Sequence, residues 1–309
     1  MKGLLIPLLA ICLLACTTSM YSSGEKDPAK ERNAAMAYFK SGNAYMAKGQ
    51  NDRAIEEFNK SISLNPSFAM AYSGRGLAYS LKKQYDRAIE DYSKAIALDP
   101  YFPETFKMRG DAYTEKKLYA KAVEDYDKAI SMAPKDIWAY WKRGVCYEIK
   151  GQPDRAIEDF NSAILINPNF AWAYSSRGIA YGKKGQHEKS LEDHTKAISL
   201  NPEFAGFYSN RGSTYTQLGQ YEKSLADYQK AISLDPNLPW AYRGIGIIYQ
   251  QKGQFDGAIE QYTKAISLDP NFAEAYFSRG LIYQIKGDKR KAQIDLNTAC
   301  VLGFKVACK

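Results

Sequence analysis

Histidine and cysteine side chains are the usual sources of catalytic and metal-binding chemistry, and this sequence has few of them. Its only histidines, His187 and His194, are seven residues apart. No cysteine or carboxylate cluster accompanies them at the spacing that metal ligands need. No glycine-rich segment has the pattern of a phosphate-binding loop. The sequence therefore predicts no catalytic residues, no metal site and no cofactor.

A fixed interval organises most of the chain. Seven prolines follow one another at 34 residues: Pro66, Pro100, Pro134, Pro168, Pro202, Pro236 and Pro270. A period of this length is typical of stacked helical repeats. With proline at position 32, eight repeats start at residues 35, 69, 103, 137, 171, 205, 239 and 273.

Each repeat carries small and aromatic residues at fixed positions. Position 8 is always glycine, position 11 is always tyrosine, and position 20 is alanine or serine. Position 24 is aromatic except at His194 and Leu296. Small residues let two antiparallel helices cross closely, and the rings fill the space around the crossing. His194 is therefore interpreted as a core residue that replaces a ring.

This residue set at this spacing resembles the tetratricopeptide repeat family. The resemblance implies an all-α, right-handed superhelical solenoid of eight helix-turn-helix repeats over residues 35–302. It also implies that the first helix of each repeat lines the concave face, where the family binds ligands, and that the second helices form the convex face. Helices of about 13 residues are marginal alone, so the repeats must stack.

Arginine at position 7 and aspartate at position 23 occur in the same six repeats. Both are lost together in repeat 1, which has Ser41 and Glu57, and in repeat 7, which has Ile245 and Gln261. Such joint loss predicts an ion pair between the two helices of each repeat, rather than an arginine ladder for phosphate. The predicted pairs are Arg75–Asp91, Arg109–Asp125, Arg143–Asp159, Arg177–Asp193, Arg211–Asp227 and Arg279–Asp295.

All four tryptophans fall at positions that the family uses for ligand contacts. Trp138, Trp172 and Trp240 occupy position 2, and Trp141 occupies position 5. A buried tryptophan removes roughly 150–250 Å² from water, so exposed rings indicate a surface that something else covers. The alternative is that these rings pack against the adjacent repeat and are half exposed. The predicted peptide-binding groove consists of Trp138, Trp141, Trp172, Asn210, Trp240 and Arg243.

The N-terminus predicts export and lipidation. One lysine precedes an apolar run from Leu4 to Leu14, and Ala15 and Cys16 follow. The run is shorter than the roughly 20 residues of a membrane span, and Leu-Leu-Ala-Cys resembles a bacterial lipobox. The resemblance implies a signal peptide over residues 1–15 and acyl chains such as palmitate on Cys16. The following residues are polar, contain glycine and proline and have no apolar period, so residues 16–34 are interpreted as the lipidated cysteine and a flexible tether. Thr17 after the cysteine resembles retention at the outer membrane, facing the periplasm.

The C-terminal tail, residues 303–309, has no capping helix of its own. The end of a repeat stack needs a cap, and a disulfide between Cys300 and Cys308 would fold the tail back. Their spacing resembles bridges in related cysteine-containing helical repeats, and an exported protein permits them. Cys146 falls at an apolar position and is predicted to be buried.

These features favour a non-enzymatic adaptor that is lipid-anchored in the bacterial cell envelope and binds an extended segment of a protein partner. The net charge of +8 would suit nucleic acid or an anionic membrane. Export argues against nucleic acid, so the predicted partners are a protein and the membrane, with no nucleic acid. A glycan-binding protein of the envelope is the alternative, since sugars also stack on tryptophan. An enzyme is a third, less favoured interpretation.

Overall fold

The computed structural model describes residues 27–308 as an all-α chain. It divides into two compact units, here called the N-terminal unit (Met1–Lys117) and the C-terminal unit (Leu118–Lys309). Sixteen α-helices and one short 3-10 helix make up these described residues. The predicted signal peptide, the lipidation site Cys16 and most of the predicted tether lie outside them.

Five helices lie in the described residues of the N-terminal unit, 27–117. They are α1 (Pro28–Ala47), α2 (Asn51–Leu64), α3 (Ala69–Leu81), α4 (Tyr85–Leu98) and α5 (Pro103–Glu115). Each helix packs against the next one along the chain, and the first helices of repeats 1, 2 and 3 also contact one another in order. The predicted pairing of helices within each repeat is therefore present in repeats 1 and 2.

Eleven α-helices belong to the C-terminal unit, beginning with the second helix of repeat 3. They are α6 (Tyr119–Met132), α7 (Ile137–Ile149), α8 (Pro153–Ile166), α9 (Ala171–Lys183), α10 (His187–Leu200), α11 (Ala205–Gln217), α12 (Tyr221–Leu234), α13 (Pro239–Gln251), α14 (Phe255–Leu268), α15 (Ala273–Ile285) and α16 (Lys289–Val301). Repeats 4 to 8 each contribute two packed antiparallel helices.

The first helix begins earlier than the sequence predicts. Residues 28–34 were assigned to the flexible tether, but α1 starts at Pro28. Asp27 caps this helix by accepting a hydrogen bond from the backbone of Ala29 at 2.9 Å. Proline at the first helical position and an aspartate cap are standard start signals. The described part of the predicted tether is therefore an extension of α1.

A left-handed residue ends the first helix of all eight repeats, and in six of them it is glycine. Gly49, for example, has φ +70°, and the following backbone N–H donates back to Tyr45 at 2.9 Å. Lys83 and Lys117 take this place in repeats 2 and 3 with φ of 58° and 60°. Glycine adopts this conformation without steric cost, which explains its recurrence near position 15.

The core forms where position 8 of the first helix meets position 24 of the second. In repeat 4, a Cβ added at Gly144 would lie 2.6 Å from the ring of Phe160, so only glycine fits. The rings at position 24 of repeats 1 to 4 and 7 are fully buried, as are the alanines at position 20. This packing is the reason for the small and aromatic positions that the sequence repeats.

His194 fills the same space in repeat 5. It is 1% exposed and lies against Gly178. Burial, with a smaller contribution from the charge of Arg211, lowers its pKa to about 3. Its Nδ1 has no hydrogen-bond partner within the part of the chain that the structure describes. The prediction that His194 is a core residue agrees with this environment.

Replacing His194 with phenylalanine should remove a pH dependence of stability. Because the folded-state pKa is depressed, the unfolded chain takes up the proton first. The contribution of neutral His194 to the free energy of unfolding is therefore fully present above pH 6.5. It is lost as the pH falls below that value, by about 2 kcal/mol at pH 5. His194→Phe should be more stable at pH 7, because it removes an unsatisfied buried atom. Urea denaturation at pH 7 and pH 5 measures both effects. Equal losses for the two proteins would contradict the assignment.

Five of the six predicted Arg–Asp pairs are present as bidentate ion pairs. In each one, Nε and Nη2 of the arginine donate to the two carboxylate oxygens of the aspartate at 2.6–2.9 Å. The pairs are Arg75–Asp91, Arg143–Asp159, Arg177–Asp193, Arg211–Asp227 and Arg279–Asp295. The hydrogen bonds from Arg177 to Asp193 raise the pKa of the arginine. Arg109 and Asp125 lie in different units, and their pairing stays a prediction.

Each of these arginines also reaches the preceding repeat. Nη1 of Arg177 donates to Asn161 at 2.6 Å, and Nη1 of Arg143 donates to Asp127 at 2.5 Å. The acceptor always lies 16 residues earlier in the sequence, on the preceding second helix. The arginine thus joins two helices of its own repeat to the repeat before it.

A disulfide closes the C-terminal end. Cys300, in α16, is bonded to Cys308 in the 3-10 helix Lys305–Cys308. The tail places Phe304 on Phe277 of α15, with ring centroids 4.9 Å apart. The tail therefore covers part of the last repeat, as the sequence predicted. Cys146 is buried.

Candidate functional site

The first helices of the C-terminal unit lie side by side in chain order. Helices α7, α9, α11, α13 and α15 each contact the next member of the row. Positions 2, 5 and 9 of these helices share one surface, here called the first-helix face. All four tryptophans and Arg243 belong to it, and Asn210, at position 6 of α11, lines a pocket together with Arg243.

An aromatic cluster lies at the α7 end of this face. The ring centroids of Trp138 are 5.8 Å from Trp141 and 4.9 Å from Phe170. Trp141 donates from Nε1 to Ser176 Oγ at 2.9 Å and lies 6.3 Å from Trp172. Because Ser176 belongs to repeat 5, this hydrogen bond holds the ring of Trp141 between repeats 4 and 5. The structure therefore brings the three tryptophans of repeats 4 and 5 together, as the sequence suggested.

The four tryptophans differ in what remains exposed. Trp172 is half-buried and packs on Phe204 and Phe207 at 4.4 and 5.3 Å, so packing between repeats accounts for it. Trp138 is 44% exposed and Trp240 is 54% exposed, although Trp240 stacks edge-on against Phe272 at 4.2 Å. The two exposed rings are therefore the ones free to contact another molecule.

Phenylalanines just before the first helices support these rings, and the sequence analysis missed them. Phe170, Phe204 and Phe272 each occupy position 34 of a repeat and contact a tryptophan. Phe68 and Phe102 occupy the same position in the N-terminal unit. This aromatic position repeats with the period and could have been found by aligning the repeats.

A polar pocket of 410 Å³ lies between α11 and α13 on the same face. Arg243 and Trp240 line its α13 side, and Asn210 lines its α11 side, where it donates to Ser175 Oγ at 3.0 Å. The remaining lining is hydroxyls, an amide and short apolar groups, with no carboxylate: Ser209, Ser213, Thr216, Gln217, Tyr228, Gly244 and Ile247. The predicted Asn210, Trp240 and Arg243 thus meet in one pocket.

Arg243 forms no ion pair with any of the described side chains. Its Nε is buried without a hydrogen-bond partner among the described residues, and its guanidinium lies 6.0 Å from the ring of Phe272. Burial raises the pKa of Tyr228 and raises that of Tyr262 to about 12, against an opposing effect of Arg243. Both tyrosines are therefore neutral near pH 7 and leave the arginine as the one charge of the pocket lining.

The N-terminal unit has a smaller groove of different chemistry. Its volume is 150 Å³, and Phe39, Met46, Met70, Phe102 and Met108 form most of its lining. The groove is apolar, in contrast to the pocket around Arg243.

Comparison with family models decides the family. Models described as "TPR repeat" match residues 42–83, 110–151, 147–185, 212–253 and 248–287. Models described as "Tetratricopeptide repeat" match residues 69–102, 171–204 and 195–226. Together these matches cover more than half of the chain. The chain belongs to the tetratricopeptide repeat family.

Solved structures agree with the tetratricopeptide repeat fold. A tetratricopeptide repeat protein from Parabacteroides merdae aligns over 81% of this chain and 99% of its own, with TM-score 0.71 and 19% identity. The MamA protein aligns over 55% and 93%, with TM-score 0.51 and 28% identity. Pseudomonas aeruginosa pilF aligns over 73% and 99%, with TM-score 0.60 and 17% identity. No curated protein sequence matches the chain significantly.

The tetratricopeptide repeat fold makes this chain a scaffold for protein–protein interaction, a class that is typically non-catalytic. Within residues 27–308 there is no group of three or more His, Cys, Asp or Glu residues that could hold a metal ion. No helix in that range is long and apolar enough to cross a membrane.

Proposed function

We propose that this tetratricopeptide repeat protein is a lipid-anchored adaptor of the bacterial cell envelope, at the outer membrane facing the periplasm. Its first-helix face binds an extended segment of a partner protein. The observation that carries the binding site is the exposure of Trp138 and Trp240 on the same face, on either side of Trp172 in the row of helices.

Energetics favours a covered state for these rings. Burying a full tryptophan is worth about 4–6 kcal/mol at about 25 cal/mol per Å², and Trp138 and Trp240 leave about half of their surfaces in water. Tryptophan is enriched among the few residues that dominate binding energies. The supporting phenylalanines hold both rings rigidly, so a partner gains contact area without ordering them.

The anchor rests on the sequence of the N-terminus. Acyl chains on Cys16 would each contribute about 0.8 kcal/mol per buried methylene, and more than one chain gives stable attachment. Metabolic labelling with radioactive palmitate should mark the wild-type chain and not Cys16→Ser. A labelled Cys16→Ser variant, or an unlabelled wild type, would contradict the anchor without touching the binding proposal.

The binding proposal is tested by crosslinked co-purification from membranes with Trp138→Ala/Trp240→Ala. These two rings are chosen because Trp141 and Trp172 also hold repeats together, so their removal would disturb folding. The matched control is Leu165→Ala, which removes an 84% exposed apolar side chain from a second helix.

We expect the double variant to capture at least about tenfold less of a specific partner than wild type, as the removal of two hot-spot residues implies. The control should capture it at the wild-type level, and circular dichroism should show equal helix content in all three proteins. Equal capture by the double variant would contradict the proposal. Release of the partner by soluble peptidoglycan fragments would favour the glycan-binding alternative.

A further inference from the structure

Arg243 differs from the five arginines that form the repeat ion pairs. Those arginines stand at position 7, where an aspartate and a residue of the preceding repeat use their N–H groups. Repeat 7 has Ile245 at position 7 and Gln261 at position 23, and its arginine comes two residues earlier. Two residues turn a helix by roughly 200°, so the arginine of repeat 7 is directed to the first-helix face instead of the interior.

No carboxylate of residues 27–308 pairs with Arg243. Its Nε is a buried donor without an acceptor among the described residues, whereas nearly all buried polar groups in proteins are paired. The pocket that it lines offers hydroxyl and amide groups and no carboxylate. Such a lining complements a ligand that brings one negative charge.

We propose that this pocket binds the side-chain carboxylate of an acidic residue in the partner segment, with Arg243 as the cationic anchor. This inference rests on the proposed function and adds the chemistry of the residue that the first-helix face selects. A planar guanidinium fork matches a carboxylate through two parallel hydrogen bonds. Gln217 and Ser213 line the same pocket and supply further donors for the carboxylate. Trp240, at the rim, receives an apolar neighbour of the acidic residue.

An internal acidic residue fits this position better than a chain terminus. The pocket lies between α11 and α13, and the first-helix face continues to α9 on one side and to α15 on the other. A bound segment therefore has surface to follow in both directions from the pocket. A terminal carboxylate has the same chemistry, and the experiment separates the two sources.

The test is a double-mutant cycle with defined peptides. Short peptides are displayed as fusions through their C-termini and are selected for binding to the purified full chain. The selected peptides are then synthesised with amidated C-termini. Each peptide is made with its acidic residue as Glu and as Gln, and dissociation constants are measured by fluorescence anisotropy. The proteins are wild type, Arg243→Gln and the charge-matched control Arg290→Gln, which alters an exposed second-helix arginine.

We expect the Glu-to-Gln change in the peptide to weaken binding to wild type and to Arg290→Gln by about tenfold, equivalent to about 1.4 kcal/mol. The same change should weaken binding to Arg243→Gln less than twofold. Equal factors for all three proteins would overturn the inference. A Gln peptide with a free C-terminal carboxylate is also measured. If it binds wild type as tightly as the Glu peptide does, the pocket recognises a chain terminus and not an acidic side chain, which would also overturn the inference.

The two proposals fail in different ways. In one outcome, peptide binding depends on Trp138 and Trp240, but the Glu-to-Gln change weakens binding to wild type and to Arg243→Gln by the same factor. This outcome would support the binding face and contradict only the specificity for an acidic residue. Failure to select any peptide that depends on these tryptophans would contradict both proposals.

Discussion

Replacing Asp227 with alanine should lower the free energy of unfolding by about 3 kcal/mol, because it leaves the guanidinium of Arg211 partly buried without its anion. Both hydrogen bonds of the pair are 2.8 Å long, and the aspartate side chain is 9% exposed. The matched control lies on the same helix. Glu222 pairs with Lys252 at 3.0 Å but is 83% exposed, and Glu222→Ala should change stability little.

Repeat 7 supplies the rescue for this prediction. It has Ile245 and Gln261 at the two positions and packs normally, so an uncharged pair is compatible with the fold. Arg211→Ile combined with Asp227→Gln should recover at least about 2 kcal/mol relative to the sum of the single changes. Urea denaturation of the four proteins measures this coupling. Additive losses would show that the pair contributes no specific interaction.

Gly244→Ala should destabilise the chain by about 2 kcal/mol. An added Cβ would lie 2.2 Å from Cζ of the Tyr228 ring. Tyr228 is only 4% exposed and also packs against Gly212, so its ring has little room to move. Overpacking of this kind costs about 3 kcal/mol, and the helical preference of alanine over glycine returns about 1 kcal/mol.

A second glycine gives the opposite sign. The nearest atom to a Cβ at Gly182 is Ser190 Oγ at 3.5 Å, so Gly182→Ala should gain up to about 1 kcal/mol from helix propensity. Thermal denaturation followed by circular dichroism compares the two variants with wild type. Tyr228→Leu should relieve much of the loss in Gly244→Ala, because it removes the ring atoms nearest to the added Cβ, and repeat 8 carries a leucine, Leu296, at the same position of the repeat. Gly244→Ala at wild-type stability would contradict the packing described here.

The fold could be predicted because its determinants repeat within one chain. The 34-residue interval placed the helix pairs, and joint loss of arginine and aspartate in repeats 1 and 7 identified the ion pairs. The start of α1 was placed too late, because residues 28–34 carry no repeat signature. They are helical through the Asp27 cap and a proline at the first position.

The site was less accessible from sequence, since it depends on contacts between neighbouring repeats. Position 2 placed Trp138 and Trp172 on one face, but only coordinates show that Phe204 and Phe207 cover much of Trp172. The sequence analysis also missed the hydrogen bond from Nη1 of each arginine to the preceding repeat. Short polar residues at position 25 precede the arginine repeats, and Gln229 precedes Ile245, so this signal was present in the period.

Site-specific photo-crosslinking tests the central claim, which is that a partner segment lies along the first-helix face. A photoreactive amino acid is placed at Ile179 or at Ser213, both at position 9 of first helices, and at the exposed second-helix residues Leu165 and Val301 for comparison. We predict that both position 9 sites crosslink to one partner and that mass spectrometry maps the adducts to one continuous segment of it. Adducts formed from Leu165 or Val301 but not from Ile179 and Ser213 would contradict the account.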